Sequence, residues 1–227
     1  MTRAGDHSGR SFLESRVAVE ANGDRLEVVL VRRVRPQTWR FRLNCHGGAG
    51  SDIVGGFGDV SYTLTGNSSL VGLGTDSLLS IEAAILTAGV SNNVLNASQA
   101  TIRVTLLGGD GNDLLIGSPF ADSLSGDNGN DTLQGGVGDD LLVGAAGDDA
   151  ASGGPGNDFL FGGAGRDLLT GDDGNDVVNG QGASGDTVSG GLGNDRLDGG
   201  DGADVLAETG DVDVVFTAFG LQRRTGQ

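Results

Sequence analysis

The sequence contains no lysine; its positive charge is arginine alone, 14 residues against 31 acids, for a formal net charge of −17. Nucleic acid and an anionic membrane surface both require a basic face, so this balance argues against either as a partner. Aromatic residues are scarce, with eight Phe, one Tyr and one Trp in 227 residues. A core built around aromatic side chains is therefore not expected. The single cysteine, Cys45, excludes an internal disulfide, so any staple must be of another kind. No apolar run reaches the length of a membrane span, and no charged-then-apolar leader pattern opens the chain. Proline is limited to three residues while glycine reaches 44. Scattered glycine would suggest a linker, but with so little proline and 37% apolar residues another explanation is needed, and periodicity supplies it.

Charge divides the chain near Cys45. Residues 1–46 hold nine Arg and five acids, net +4, whereas residues 47–227 hold five Arg and 26 acids, net −21. In the first segment, "DRLEVVLVRR" and "TWRFRLN" set apolar and β-branched residues among Arg, after the turn signal "NGD". This predicts a pair of strands, with the first twenty residues loose. Cys45 and His46 are expected in an unremarkable loop, because His7 is the only other histidine and no ligand cluster can be assembled. Residues 47–107 read as an irregular repeat. "GGAGSDIVG" (47–55), "VGLGTDSLL" (71–79) and "AGVSNNVLN" (88–96) share a glycine-rich turn, a polar sixth residue and an aliphatic eighth. The intervening "SIEAAIL" suits either a strand or one or two helical turns.

From Gly108 the period is strictly nine: GGDGNDLLI, GSPFADSLS, GDNGNDTLQ, GGVGDDLLV, GAAGDDAAS, GGPGNDFLF, GGAGRDLLT, GDDGNDVVN, a ten-residue GQGASGDTVS, then GGLGNDRLD, GGDGADVLA and a degraded ETGDVDVVF. Aspartate holds the sixth place in every nine-residue unit, and Asp186 takes the role one place late in the long one. The eighth place is Leu, Val or, once, Ala.

This unit resembles the GGxGxDxUx nonapeptide of RTX (hemolysin-type) proteins, a calcium-binding β-helix repeat. The resemblance covers 108–207 closely, 208–216 weakly and 47–96 in fragments. It implies an all-β, right-handed parallel β-roll (β-solenoid), in which six residues form a turn, three a short strand, and two units one coil. The expected organisation is a basic N-terminal segment at 1–46 placed as a cap, irregular β-solenoid coils at 47–107, the calcium-binding roll at 108–216 and a tail at 217–227. Calcium is the implied cofactor, about six to eight ions in all. Each ion is expected to bridge turn n and turn n+2, through carbonyls of the glycine-rich turn and the sixth-place carboxylates of both. The residues so implied are Asp113, Asp131, Asp140, Asp149, Asp158, Asp167, Asp176, Asp195 and Asp204, with the turn positions Gly109, Gly111, Gly129, Gly136, Gly138, Gly147, Gly154, Gly156, Gly163, Gly165, Gly174, Gly191 and Gly193. One edge pairs Asp113 with Asp131, Asp131 with Asp149, and Asp149 with Asp167; the other pairs Asp140 with Asp158, Asp158 with Asp176, and Asp176 with Asp195. The unit 117–125 departs from the pattern, since Ser118, Pro119 and Phe120 replace the second glycine, the variable residue and the fourth-place glycine. Asp122–Asp140 is therefore left outside the six best pairs, and an Asp122→Ala change is expected to matter little. The extra residue in 180–189 sets Asp186 apart in the same way.

The residues support this chemistry on their own terms. A three-residue strand is only about 10 Å long, so each layer gains stability by stacking on its neighbours. The eighth-place aliphatic points inward while places seven and nine face water. Glycines at places one, two and four permit positive φ and let carbonyl oxygens approach one another. Carbonyls with a carboxylate make a hard-oxygen cage suited to calcium rather than zinc or copper. In a roll with a repeat of roughly 4.8 Å, stacked aspartates repel by about 3 kcal/mol per pair at an effective dielectric of 20. A cation between them reverses that sign.

Three classes of function fit. The first is a secreted or surface calcium-binding solenoid that folds on binding its ion and has no catalytic role, exported by the type I route that the family implies. The second is a fragment or accessory module of an RTX protease, lipase or alginate epimerase, against which HExxH and GxSxG are both absent. The third is an adhesive or ice-binding face, which regular Thr or aromatic ladders at places seven and nine would favour; those places are mixed. Contact with a cell surface or a polysaccharide is compatible with the first. "GDVDVVFT" (210–217) echoes "GDVSYTLT" (58–65), as the start of a further large repeat would.

Overall fold

The computed structural model describes residues 19–22, 25–31, 44–46, 53–58, 61–66, 69–71, 75–79, 81–182, 184–207 and 215–216. Among them there are strands and turns and no helix. The chain winds into a β-solenoid of about 7 turns, flanked by two eleven-stranded sheets. In spatial order one sheet runs Val19–Asn22, Arg25–Val31, Ile53–Phe57, Ala83–Thr87, Arg103–Asp110, Ser123–Asn128, Leu141–Ala146, Phe159–Ala164, Val177–Gln181, Arg196–Asp198 and Val215–Phe216. The other runs Val205–Leu206, Thr187–Leu192, Leu168–Asp173, Ala150–Pro155, Thr132–Gln134, Leu114–Ile116, Val94–Gln99, Tyr62–Thr65, Ser69–Val71, Thr75–Leu79 and Asn44–His46. From Ala83 onward successive strands alternate between the sheets, and their pairings within each sheet are parallel. No helix among the described residues is long and apolar enough to cross a membrane.

The eighth-place column builds the core. Register stacks Leu106, Leu124, Leu142, Leu160, Val178 and Leu197 in one sheet, and Leu95, Leu115, Leu133, Ala151, Leu169 and Val188 in the other. All twelve are buried, while places seven and nine are half-buried or exposed. Each nine-residue unit thus contributes one aliphatic side chain to a narrow core, and stability has to accumulate along the stack.

Several elements differ from the sequence expectation. Strands such as Leu141–Ala146 and Phe159–Ala164 are six residues long rather than three. Pairing lapses at place one and resumes at places two and three, as in Val143↔Phe161 followed by Ala145↔Gly163, so the first half of the expected turn still donates to the ladder. "SIEAAIL" resolves to strand, because Ala83–Thr87 is paired on both sides, by Ile53–Phe57 and by Arg103–Asp110. Arg25–Val31 is a strand, but its antiparallel partner is Val19–Asn22; "TWRFRLN" lies outside the described residues except for Asn44. Cys45 and His46 sit on a strand paired with Thr75–Leu79, not in a loop. The parallel pairing of Arg25–Val31 with Ile53–Phe57 carries the sheet across the charge boundary.

Candidate metal centre

At the bend between the two sheets the sixth-place aspartates turn inward. Asp113, Asp131, Asp140, Asp149, Asp158, Asp167, Asp176 and Asp195 are at most 3% exposed; Asp204, near the end of the stack, is half-buried. Such burial of a carboxylate demands compensation, and half of it is supplied by the backbone. Oδ1 of each aspartate accepts a hydrogen bond from the N–H of the sixth-place residue one coil earlier. Along one edge the bonds run from Asn93 to Asp113, then to Asp131, Asp149, Asp167, Asp186 and Asp204, at 2.7–2.9 Å. Along the other they run from Val104 to Asp122, then to Asp140, Asp158, Asp176 and Asp195, at 2.7–2.9 Å. Every pair expected from the repeat is brought into neighbouring coils by these bonds.

The second oxygen is the telling one. Oδ2 of Asp131, Asp140, Asp149, Asp158, Asp167, Asp176, Asp186 and Asp195 is buried and accepts no hydrogen bond. Burial is the main cause that pushes the carboxyls of Asp140, Asp149 and Asp176 up to about 7 and that of Asp158 to about 6. Asp131, Asp167 and Asp186 are raised for the same reason. The N–H bond on Oδ1 opposes the shift, and neighbouring carboxylates add to it. Desolvation thus outranks the like-charge repulsion on which the sequence argument leaned.

Glycine serves two different ends here. At places two and four it supplies positive φ, as at Gly154 (101°) and Gly156 (152°). Place two also accommodates Asp127, Ala145, Asp172 and Gln181 at φ of 67–83°, so glycine is not obligatory there. The place-one glycines are absent from the positive-φ set, contrary to expectation. Their role is space: a Cβ on Gly135 would lie 2.5 Å from Asp140 Oδ2 and 2.6 Å from the Gly153 carbonyl oxygen. The place-four columns bring backbone carbonyls against the next coil, where a Cβ on Gly147 or Gly165 would collide with the carbonyl of Gly129 or Gly147.

Two departures were less legible in the sequence. Asp186 is fully buried and continues the ladder, because the extra residue of its unit is taken up in the turn before it, where Asp201 N–H donates to the carbonyls of Gln181 and Gly182. Asp122 belongs to the ladder too, but both of its oxygens are engaged by protein: Oδ1 by Val104 N–H at 2.7 Å and Ser118 Oγ at 3.0 Å, Oδ2 by Ser118 N–H at 2.5 Å. The serine that breaks the repeat pattern fills the role left open elsewhere. Sequence reading also passed over a fifth-place ladder on the surface, in which Asn112, Asn130, Asp139, Asp148, Asn157 and Asn175 accept the N–H of a neighbouring coil. The enrichment of Asn and Asp at that place was its visible signal.

No group of three or more His, Cys, Asp or Glu side chains among the described residues is placed to hold a metal. An ion at these corners would depend on main-chain carbonyls as much as on carboxylates, a donor set of hard oxygens that suits calcium. The family model described as RTX calcium-binding nonapeptide repeat matches in four copies, at residues 105–119, 116–151, 152–184 and 181–207. Residues 105–207 are an RTX repeat array. No curated protein matches the chain. Within the RTX array lie all the partnerless carboxylate oxygens described above, whereas the coil between Ile81 and Ala100 carries the neutral Asn93 at the equivalent corner.

Proposed function

We propose that the array is a calcium-dependent structural module of a secreted or surface protein, folding as it binds and performing no catalysis of its own. The observation that carries this reading is the row of buried Oδ2 atoms without a donor, since a buried carboxylate lacking a partner is strongly destabilising. A divalent cation supplies the missing positive charge when bound. The residues suited to hold it are the sixth-place aspartates Asp113, Asp131, Asp140, Asp149, Asp158, Asp167, Asp176, Asp195 and Asp204, joined by Asp186, together with carbonyls of the glycine turns from Gly109 to Gly193. About six to eight ions are expected, each lying between successive coils along one edge or the other. Asp122, satisfied by Ser118 and Val104, stands outside the set. The aliphatic column fixes each corner to the core, so losing an ion loosens the coil on which it sits. Export by the type I route and an extracellular site of action follow the habit of the family, and millimolar calcium outside cells suits modules of this kind. Residues 1–46 are proposed as a cap on the first coils.

Far-ultraviolet circular dichroism of the full chain tests the reading. The β signal is expected to be weak in chelator and to rise with a midpoint in the sub-millimolar to millimolar range of calcium, roughly 10⁻⁴–10⁻³ M. Equal β content in chelator and in calcium would refute it.

A further inference from the structure

The two halves of the solenoid solve the same problem with different materials. Between Ile81 and Ala100 one coil buries Ile81, Ala84, Leu86, Ala88, Leu95, Ala97 and Ala100. The RTX coil from Gly126 to Val143 buries only Leu133 and Leu142 as apolar side chains. Apolar burial is the main favourable term in folding, so the earlier coil is far better supplied. Its corners also lack the liability of the later ones. The buried polar residue at the sixth-place corner is Asn93, a neutral amide. At the junction, Asp122 is held by three protein donors, and Ser118, which provides two of them, is itself buried. Apart from the Thr87 hydroxyl, the partnerless buried oxygens described above begin at Asp131.

We propose that residues 81–107 fold without calcium and act as the seed from which the calcium-dependent coils are laid down in order toward residue 207. The inference rests on the calcium reading above and goes beyond it by assigning direction. The seed presents what the next coil needs. Leu95 and Leu106 offer the apolar surface that Leu115 and Leu124 cover. Asn93 N–H and Val104 N–H are the first donors of the two ladders and orient the carboxylates of Asp113 and Asp122. Each later coil presents the same donor to its successor. In a stack held by nearest-neighbour contacts, an end already formed removes the nucleation cost, and growth proceeds away from it.

Hydrogen exchange of the full chain, read by mass spectrometry across a calcium titration, tests this. In chelator, amides of Ala83–Leu107 are expected to exchange about tenfold or more slowly than those of Leu141–Asp198, and to change little on adding calcium. Protection in the array should then appear at lower calcium in Ser123–Gln134 than in Thr187–Asp198. If Ala83–Leu107 exchanges as fast as the array in chelator, or if Thr187–Asp198 is protected first, the seed is overturned while the calcium reading stands. If Leu141–Asp198 is equally protected with and without calcium, the calcium reading falls and the seed falls with it. Leu106→Ala should raise the calcium midpoint of the distant strand Leu168–Asp173 severalfold, and Leu106→Val provides a milder step if the first variant does not fold. An unchanged midpoint in a folded variant would overturn the coupling.

Discussion

Replacing Gly153 by alanine adds one methyl group at a tight point of a corner, against the buried carboxylate. The new Cβ would stand 2.8 Å from both Asp158 Cγ and the Gly171 carbonyl oxygen, and would meet Asp158 Oδ2 as well. None of these atoms can retreat freely: Gly171 belongs to strand Leu168–Asp173, and Asp158 is fully buried with Oδ1 holding the N–H of Asp140 at 2.7 Å. Overpacking of a tight interior costs about 1–3 kcal/mol, and pulling Oδ1 off a buried N–H costs roughly 1–3 kcal/mol more if the bond is lost. About 3 kcal/mol is a reasonable total, since moving the carboxylate relieves part of the clash. If two ions are coupled to that coil, the calcium midpoint rises about tenfold, at 1.4 kcal/mol per decade per ion. Ala145→Gly is the control. Place two carries Ala145 at φ 83°, a left-handed conformation that costs an L side chain roughly 1–2 kcal/mol and that glycine adopts without steric cost, so the midpoint should hold or fall slightly. Parallel titrations followed by circular dichroism compare the two. Equal midpoints for both variants, or a larger rise for Ala145→Gly, would refute the division of labour between the glycine columns.

Asp158→Asn keeps an acceptor for Asp140 N–H but removes the charge, so it should fold more readily than the parent in chelator and require several-fold more calcium to saturate; weaker folding in chelator would contradict the cost assigned to the orphan oxygen. Asp158→Ala also loses the acceptor, and in saturating calcium it should be less stable than Asp158→Asn by about 1–3 kcal/mol in chemical denaturation. Because folded-state pKa values near 7 at Asp140, Asp149 and Asp176 exceed the unfolded value of 3.8, protonation stabilises the calcium-free fold fully below about pH 4, and that contribution is lost as pH rises through about 7. Calcium-stripped protein should therefore show more β signal at pH 4.5 than at pH 8, and the calcium midpoint should rise as pH falls; a pH-independent midpoint would count against buried carboxylates as the ligands. Asp122→Ala should leave the number of bound ions unchanged while lowering stability by about 2 kcal/mol, because the N–H groups of Val104 and Ser118 lose their acceptor; loss of an ion in calorimetry would place Asp122 among the metal ligands. Leu160→Ala should cost about 2–5 kcal/mol in saturating calcium, and a loss below about 0.5 kcal/mol would show that the eighth-place column is not the core.

Periodicity is a property of the chain, so much of the array could be read without coordinates. A solenoid repeats its environment with its sequence; the sixth-place aspartates and eighth-place aliphatics therefore announced the two ladders and the core from Gly108 onward. The pairing of Asp140 with Asp158 and of Asp149 with Asp167 followed from the two units per coil that the RTX resemblance implies. What the period cannot carry is direction and distance. Whether a sixth-place carboxylate faces solvent or the interior depends on the backbone path through places four to six, and only the folded corner turns it inward, giving Oδ1 a donor and leaving Oδ2 without one. The reason for glycine at place one was hidden in the same way, since the atoms it avoids belong to Asp158 and to the next coil at Gly171. Where the repeat is broken, local pattern misled. Ser118 looked like a defect and is the partner that satisfies Asp122, and the insertion before Asp186 looked disruptive and is absorbed by its turn. In 81–107 no fixed period exists, and "SIEAAIL" became a strand because Ile53–Phe57 and Arg103–Asp110 stand on either side of it, a tertiary fact that outweighs local propensity.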